Sequence, residues 1–258
     1  MELRQNFEML KICTAAAAGL TALSLLRLRR RRAAGKKRVW LIRHGESEFN
    51  AGVDAYFAAN PEEEARCLRD IASWWEEPDH FDPATPDAPL TAKGRGQARA
   101  LPDQVAGLPL ELICVSPLSR ALETMALAFA EYDSSVPVRV CPRAAERVNS
   151  SCDLGSSPAV LKEAFPAVDF EAIEGAGAGA GEWWVQSEDA SEDWLARLDP
   201  PRVTEPLESF ARRMDALKAW IKGRPERNIC LVCHAVVIHA FTGNWVPNCD
   251  LSVVTLRA

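Results

Sequence analysis

Apolar and polar positions alternate from Lys37 onward in a way that predicts strands separated by helices. Apolar runs of strand length occupy Arg38–Ile42, Leu110–Val115, Val136–Cys141, Ile229–Cys233 and Ser252–Leu256. Helical spacing of apolar residues occupies Glu62–Trp75, Thr91–Val105, the residues after Pro117, Pro206–Lys222 and Val236–Thr242. This order predicts an α/β fold, a three-layer sandwich whose mostly parallel central sheet has helices on both faces. In such sheets ligands bind at the carboxyl ends of the strands.

Proline, serine and glycine set the predicted helix boundaries. Pro102 lies within Thr91–Val105, where it should end or kink the helix. Ser116, with Pro117 at the first helical position, is expected to cap the helix that contains LSRALETMALAFAEY. Gly223 is expected to stop the helix that precedes it.

Two long segments interrupt the alternation. Tyr56–Pro89 contains acidic residues and several prolines, and Asn149–Pro206 contains the flexible tract Gly175–Gly181. Both are long enough to be insertions over the edge of the sheet. Their tryptophans either line a substrate entrance or, as we favour, pack the insertions onto the body. These residues are Trp74, Trp75, Trp183 and Trp184.

The N-terminal residues differ from the rest of the chain in charge. Residues 1–38 hold ten of the 30 basic and two of the 36 acidic residues, a net charge of +8, whereas the remainder has −14. We therefore treat residues 1–37 as a separate segment and residues 38–258 as one domain. An acidic domain does not favour nonspecific nucleic-acid binding, which depends on neutralising phosphates.

The N-terminal segment contains an uncharged run, Ile12–Leu26, that is followed by RLRRRR. The run is shorter than the roughly 20 apolar residues of a spanning helix, and its basic cluster lies on the wrong side for a secretory signal. Three interpretations remain open: membrane association through residues 12–28 as a signal anchor, an organelle transit peptide, or a disordered tail. In each case we expect the protein inside the cell, in the cytosol or an organelle.

The eight cysteines are scattered and do not indicate a disulfide framework. Cys230 and Cys233 form the only metal-like pair, and they lie inside an apolar strand. We expect these two thiols to pack in the core rather than to bind a metal. Since no other metal-ligand spacing is present, neither a metal nor a cofactor is expected.

Two arginines and two histidines follow three of the predicted strands. Arg43 and His44 follow the first strand, Arg120 lies early in the helix after the second, and His234 ends the strand ICLVC. Parallel strands end at one edge of the sheet, so we expect these four side chains to lie together. Clustered cations repel one another unless they bind an anion, and this cluster suits an anion with two negative charges. The two parallel N–H donors of an arginine side chain match the spacing of phosphate oxygens. The sequence therefore predicts a phosphate site.

Four motifs, in order, resemble those of the histidine phosphatase superfamily, phosphoglycerate mutase-like branch. They are LIRHGES, DAPLTAKGRGQA, SPLSRALET and LVCHAVVI, within residues 39–256. The resemblance implies that His44 is a nucleophile that becomes phosphohistidine and needs no metal. It also implies that Arg43, Arg120 and His234 hold the phosphoryl oxygens.

The resemblance further implies a proton donor after the third strand and polar groups after His44. Glu146 and Asp153 both follow that strand; Glu146 fits the family position better, and turn chemistry accounts for Asp153. Ser47 and Asn50 are placed as hydrogen-bond donors to the phosphate, although Ser47 serves equally well as a helix cap.

Four further residues receive structural interpretations. Thr124 is expected to be structural, and His239 is expected to be a core histidine. Asp87 is expected to be a loop or cap residue that orients the second motif. Ala235 stands where many family members have glycine. Alanine is tolerated if it starts a helix and is disfavoured at a positive φ.

Three functions fit these residues. A phosphatase that acts on a small-molecule or protein phosphomonoester is favoured. A phosphoglycerate mutase would use the same phosphohistidine, but NAGVDAYFAANPEEEARC does not follow the glycolytic mutase pattern. A noncatalytic phospholigand-binding module is least favoured, because every required residue type is present.

Overall fold

The computed structural model describes residues 35–69, 81–174, 183–184 and 204–257. Several predictions lie outside these residues. They concern the run Ile12–Leu26, Trp74, Trp75, the end of the helix predicted to reach Trp75, and the tract Gly175–Gly181. Within the described ranges, no helix has both the length and the apolar character that crossing a bilayer requires.

Five strands form one sheet. They are β1 (Lys37–Arg43), β2 (Leu112–Val115), β3 (Val138–Val140), β4 (Asn228–Cys233) and β5 (Leu251–Leu256). Their order in the sheet is β3-β2-β4-β1-β5. The first four are mutually parallel, and β5 pairs antiparallel with β1. Arg43 is paired with Cys233 in the register of β1 and β4. The residues that follow these two strands, His44 and His234, are therefore neighbours.

Helices connect the strands and cover the sheet. They are α1 (Glu48–Ala59), α2 (Pro61–Arg69), α3 (Ala92–Ala98), α4 (Pro102–Val105), α5 (Ser119–Ala128), α6 (Pro158–Ala164), α7 (Glu171–Glu174), α8 (Leu207–Gly223) and α9 (Ala235–Thr242). Single 3₁₀ turns lie at Pro142–Ala144 and Ser151–Asp153. As expected for a residue that cannot continue a helix, Pro102 does not extend α3, which ends at Ala98, but is the first residue of α4.

Side chains of β1 alternate between two cores, as a strand with both faces buried requires. Trp40 and Ile42 pack with residues of α4 and α5, whereas Val39 and Leu41 pack with residues of α8 and α9. The sheet is thus the middle of three layers, and the predicted α/β sandwich is confirmed. Cys230 and Cys233 are fully buried in opposite cores, which confirms their packing role.

The predicted cap of the helix after β2 is wrong. The helix α5 begins at Ser119, with Leu118 as its N-cap, rather than after Ser116. The carboxylate of Asp87 accepts hydrogen bonds from the backbone N–H (2.8 Å) and the hydroxyl (2.7 Å) of Ser119. A residue distant in sequence therefore caps this helix, and the Ser116 hydroxyl contacts His234 instead.

The first strand begins at Lys37, one residue before the predicted start. The Lys37 side chain is fully buried, and its ammonium donates to the backbone carbonyls of Arg224 and Glu226. A truncation that removes the N-terminal segment should therefore retain Lys37.

Two of the four singled-out tryptophans lie in the described residues and pack against the body. Trp183 is 1% exposed, and its indole N–H donates to the carbonyl of Ser156 at 2.8 Å. Trp184 meets it edge to face at 5.8 Å. The packing interpretation is confirmed for these two residues.

Candidate active site

The turn after β1 is built around a close backbone contact. A Cβ atom on Gly45 would lie 2.5 Å from the carbonyl oxygen of Gly94, so only glycine fits there without displacement. The Gly45 N–H donates to the Thr124 hydroxyl at 3.0 Å, and that hydroxyl donates to the carbonyl of Arg120 at 2.7 Å. Thr124 thus joins the turn to α5, in the structural role predicted for it.

His44 lies in this turn and is 4% exposed. Its Nδ1 is 2.7 Å from the carbonyl oxygen of Gly45. A carbonyl only accepts, so Nδ1 carries the proton and Nε2 keeps its lone pair. Burial, with the positive charges of Arg120 and Arg43, holds the pKa of His44 well below its usual value. The ring is therefore neutral near pH 7, as a nucleophile must be.

His234 lies beside His44, with ring centroids 5.1 Å apart. It is fully buried, and its Nε2 is 2.7 Å from the hydroxyl of Ser116. Its Nδ1 has no hydrogen-bond partner among the described residues. Burial, followed by the charge of Arg120, holds the pKa of His234 well below its usual value. The structure therefore brings both histidines together, each in its neutral form.

The two predicted arginines are held by backbone carbonyls. Arg120 is 3% exposed and donates to the carbonyl of Cys152 at 2.6 Å and to a carboxylate oxygen of Asp153 at 2.8 Å. Arg43 donates from Nη1 to the carbonyl of Val246 at 2.7 Å. These contacts fix both guanidinium groups before any ligand binds, which is the arrangement that favours charge stabilisation.

A cavity of about 330 Å³ lies at this carboxyl edge of the sheet. Its wall contains four of the predicted site residues, Arg43, His44, Arg120 and Glu146. His234 adjoins His44 but does not line the cavity wall.

Glu146 follows the turn after β3, as predicted for the proton donor. Its carboxylate accepts from the N–H of Arg147 at 2.9 Å and, more weakly, from the N–H of Val236 at 3.4 Å. Burial, and then the negative charge of Asp153, raises the pKa of Glu146 to about 7. A carboxyl with this pKa exchanges a proton near neutral pH, as a general acid–base group does.

Asp153, the alternative donor, is in a different environment. It is 2% exposed and forms an ion pair with Arg120 at 2.8 Å. Its second oxygen accepts from the N–H groups of Asn149 (3.2 Å) and Ser150 (3.3 Å). Asp153 is thus committed to holding Arg120 and to closing its own 3₁₀ turn.

Ser47 and Asn50 both line the cavity and also form the start of α1. The Ser47 hydroxyl accepts from the N–H of Asn50, and the Asn50 side-chain oxygen accepts from the N–H of Ser47, each at 3.2 Å. This reciprocal capping box shows that the cap interpretation of Ser47 is correct. It leaves the Ser47 hydroxyl hydrogen and the Asn50 amide hydrogens as donors.

Ala235 and His239 lie on α9. Ala235 is the first residue of the helix, and it is not among the described residues with positive φ. Alanine therefore fits where many family members have glycine. His239 is half-buried and stacks on Trp245, so its prediction as a core histidine is wrong.

Sequence reasoning missed a buried clamp on the Glu146 turn. Arg213, on α8, donates to the backbone carbonyls of Arg143 (2.9 Å), Ala145 (2.7 Å) and Glu146 (3.2 Å). The same guanidinium pairs with both carboxylate oxygens of Glu205, at 2.9 and 2.5 Å. The sequence shows Arg213 only as one polar position of an amphipathic helix, and nothing in that pattern predicts hydrogen bonds to carbonyls about 70 residues earlier in the chain.

We expect Arg213→Met to destabilise the fold by about 3–5 kcal/mol, because it leaves the buried Glu205 carboxylate without its partner. Urea unfolding measures this loss. Lys162→Met is the matched control, since its ion pair with Glu174 is about half exposed and should be worth less than about 1 kcal/mol. Similar losses in the two variants would contradict the clamp.

A second group that sequence reasoning missed lies between α9 and β5. Asn248 donates from its side-chain amide to the carbonyl of His44 at 2.9 Å. The Cys249 N–H donates to the carbonyl of Arg43 at 3.1 Å. Trp245 and Val246 line the cavity. Because β5 runs antiparallel to β1, its first residues lie at the same edge of the sheet as the last residues of the other strands. An antiparallel last strand would therefore have predicted that the loop before β5 reaches the site.

Comparison with known proteins gives matches of three kinds. The model of the histidine phosphatase superfamily (branch 1) matches residues 72–168 and 143–254. "Probable phosphatase SPAC513.02" of Schizosaccharomyces pombe is 40% identical over 172 residues, which are 65% of this chain and 72% of that protein.

Two solved structures are similar at lower identity. The ecdysone phosphate phosphatase from Bombix mori, in complex with tungstate, is 18% identical, with a TM-score of 0.49 over 84% of this chain and 88% of that one. Phosphoglycerate mutase from Thermus thermophilus is 21% identical, with a TM-score of 0.43 over 84% of this chain and 92% of that one.

Proposed function

The chain belongs to the histidine phosphatase superfamily, and from that membership we propose that it is a phosphatase that hydrolyses a phosphomonoester through a phosphohistidine intermediate. One observation carries the proposal. A neutral His44, with its lone pair on Nε2, lies in the wall of a cavity that Arg43, Arg120 and Glu146 also line.

The first step transfers the phosphoryl group to the enzyme. Nε2 of His44 attacks phosphorus in line, and the bond from phosphorus to the ester oxygen breaks. The protonated carboxyl of Glu146 gives its proton to the leaving oxygen, which departs as an alcohol. Arg43 and Arg120 stabilise the charge on the equatorial oxygens.

The second step returns the enzyme to its initial state. The Glu146 carboxylate takes a proton from water, and the oxygen of that water attacks phosphorus. The bond from phosphorus to Nε2 breaks, and inorganic phosphate leaves. His234 adjoins His44 and has no partner for its Nδ1 among the described residues, and we assign to it the role of holding an oxygen of the phosphoryl group on His44. The cycle consumes one water and needs no redox partner.

The test of this function is hydrolysis of a panel of phosphomonoesters, measured as released inorganic phosphate. A mutase would instead move labelled phosphate between two positions of a phosphoglycerate with little release. Release from several esters supports the phosphatase, whereas transfer without release contradicts it.

We expect activity to survive exhaustive treatment with EDTA. No group of three or more potential metal ligands occurs in the described part of the chain, and the proposed charge stabilisation comes from arginines. Activity with EDTA should stay within about twofold of the untreated enzyme. Loss of activity that zinc or magnesium restores would mean that a metal performs this role.

We expect kcat/KM for an alkyl phosphate to fall about tenfold per pH unit above about 7. The leaving oxygen needs the proton of Glu146, whose pKa is raised to about 7, so the active form disappears as that carboxyl ionises. His44 adds no transition above pH 6.5, because its pKa is lowered. Glu146→Gln should lack the fall at high pH. A fall that persists in this variant would assign the titration to another group.

A further inference from the structure

The active-site cavity has a charged end and an apolar wall. His44, Arg43 and Arg120 form the charged end, and Phe49, Val236, Trp245 and Val246 contribute the apolar wall. Phe49 is buried and both valines are half-buried, but Trp245 remains 55% exposed. A large aromatic surface that stays in water next to a catalytic centre gains stability when an apolar ligand group covers it.

Trp245 is held in place before a ligand arrives. Its ring stacks on the imidazole of His239, with centroids 4.4 Å apart and planes 24° apart. The carbonyl of the next residue, Val246, accepts from Arg43 at 2.7 Å. Two further bonds described above tie Asn248 and Cys249 to the turn of His44. Little conformational freedom is therefore lost when a substrate contacts this surface.

The described residues of the wall offer little positive charge beyond the phosphoryl end. Arg43 and Arg120 belong to that end. Arg147 also lines the cavity, and its Nε donates to the backbone carbonyl of Glu205 at 2.8 Å. Glu146 accepts from the backbone N–H of Arg147 at 2.9 Å and adds negative charge when it is ionised. Because the larger part of the remaining described wall is apolar, an apolar alcohol part covers more of it than a charged one.

The volume limits the size of the alcohol part. A cavity of about 330 Å³ lies at the lower end of the range for small-molecule sites, roughly 300–1,000 Å³. After the phosphoryl group is bound, the remaining space inside the cavity fits an alcohol part of about one or two rings.

From these four observations we propose that the preferred substrate is the phosphomonoester of a compact, planar, apolar alcohol, and that Trp245 selects it by stacking on its ring. This inference rests on the proposed phosphatase function and names the substrate class of the same site. Aromatic stacking of this kind has an offset or edge-to-face geometry, with ring centroids about 4.5–7 Å apart.

The test compares two esters with leaving groups of similar basicity. Naphthylmethyl phosphate and ethyl phosphate both release primary alcohols, so the demand on Glu146 is matched and the ring is the main difference. We expect wild type to prefer the naphthylmethyl ester in kcat/KM by about tenfold. Trp245→Ala should reduce this preference about tenfold, and Trp245→Phe should keep most of it, because phenylalanine retains a ring.

Leu207→Ala is the matched control. It removes another large apolar side chain that is 56% exposed and that does not line the cavity, so the preference should stay at its wild-type value. Hydrolysis of both esters with no change of preference in Trp245→Ala would overturn the inference and leave the phosphatase function intact. Equal losses of kcat/KM for both esters in Trp245→Ala would also overturn the inference and leave the phosphatase function intact. They would show that Trp245 acts by holding Val246 in place for its hydrogen bond with Arg43. Failure of wild type to hydrolyse either ester would overturn the proposed function together with the inference.

Discussion

Replacing His44 with alanine should abolish phosphate release, with a loss on the order of 10⁴-fold or more, while the protein stays folded. The proposed nucleophile is Nε2 of this ring, and substitution of a covalent nucleophile leaves only binding and charge stabilisation. Within the described residues, His44 makes one side-chain hydrogen bond, to the carbonyl of its neighbour Gly45. Thermal unfolding should therefore shift by only a few degrees.

The chemical form of the intermediate gives an independent measurement. Labelled phosphate trapped during turnover should be bound to histidine, in a linkage that is labile in acid and stable in alkali. His44→Asn, which keeps a short polar side chain, should trap none. The same label on a serine or a cysteine, in wild type or in this variant, would show that a different residue is the nucleophile.

The strand ends were predictable because a local pattern determines them. VWLIRHG contains an apolar run of strand length, a glycine for a sharp turn, and the guanidinium and imidazole groups of Arg43 and His44. LVCHAVVI contains a second apolar run, which ends at His234. Parallel strands bring their ends to one edge, so the meeting of Arg43, His44 and His234 follows from the fold class. The structure places the rings of His44 and His234 5.1 Å apart, with Arg43 and His44 on the wall of one cavity.

The missed features depend on contacts between distant segments. The sequence predicts Asp87 as a loop or cap residue of the second motif, but it caps α5, which begins 32 residues later in the third motif. Arg213 reaches the Glu146 turn from 67 residues away. Trp245 lies in a loop that had no motif, and only the structure shows that it is exposed on the cavity wall. Such pairings are set by tertiary packing, which hydrophobic periodicity does not encode.

Glu146→Gln should lose roughly 10²–10⁴-fold in kcat/KM with an alkyl phosphate and far less with a nitrophenyl phosphate. An alkyl alcohol leaves as a strongly basic oxygen that needs a proton, whereas nitrophenolate leaves without one. The raised pKa of Glu146, about 7, keeps a large part of this carboxyl protonated near neutral pH. Glutamine keeps the size and polarity of the side chain and removes only the proton that is transferred.

Arg120 provides the contrasting result, because it acts on oxygens that every substrate shares. Arg120→Lys keeps a positive charge opposite the buried Asp153 but loses the two-pronged geometry of the guanidinium. We expect this variant to lose similar factors, about 10–10³-fold, with both substrates. The ratio of variant to wild-type kcat/KM, measured for each of the two variants with each of the two substrates, separates proton donation from charge stabilisation. Equal losses for Glu146→Gln across the two esters would reduce Glu146 to a positioning role, and Asp153→Asn should then be tested for the selective loss.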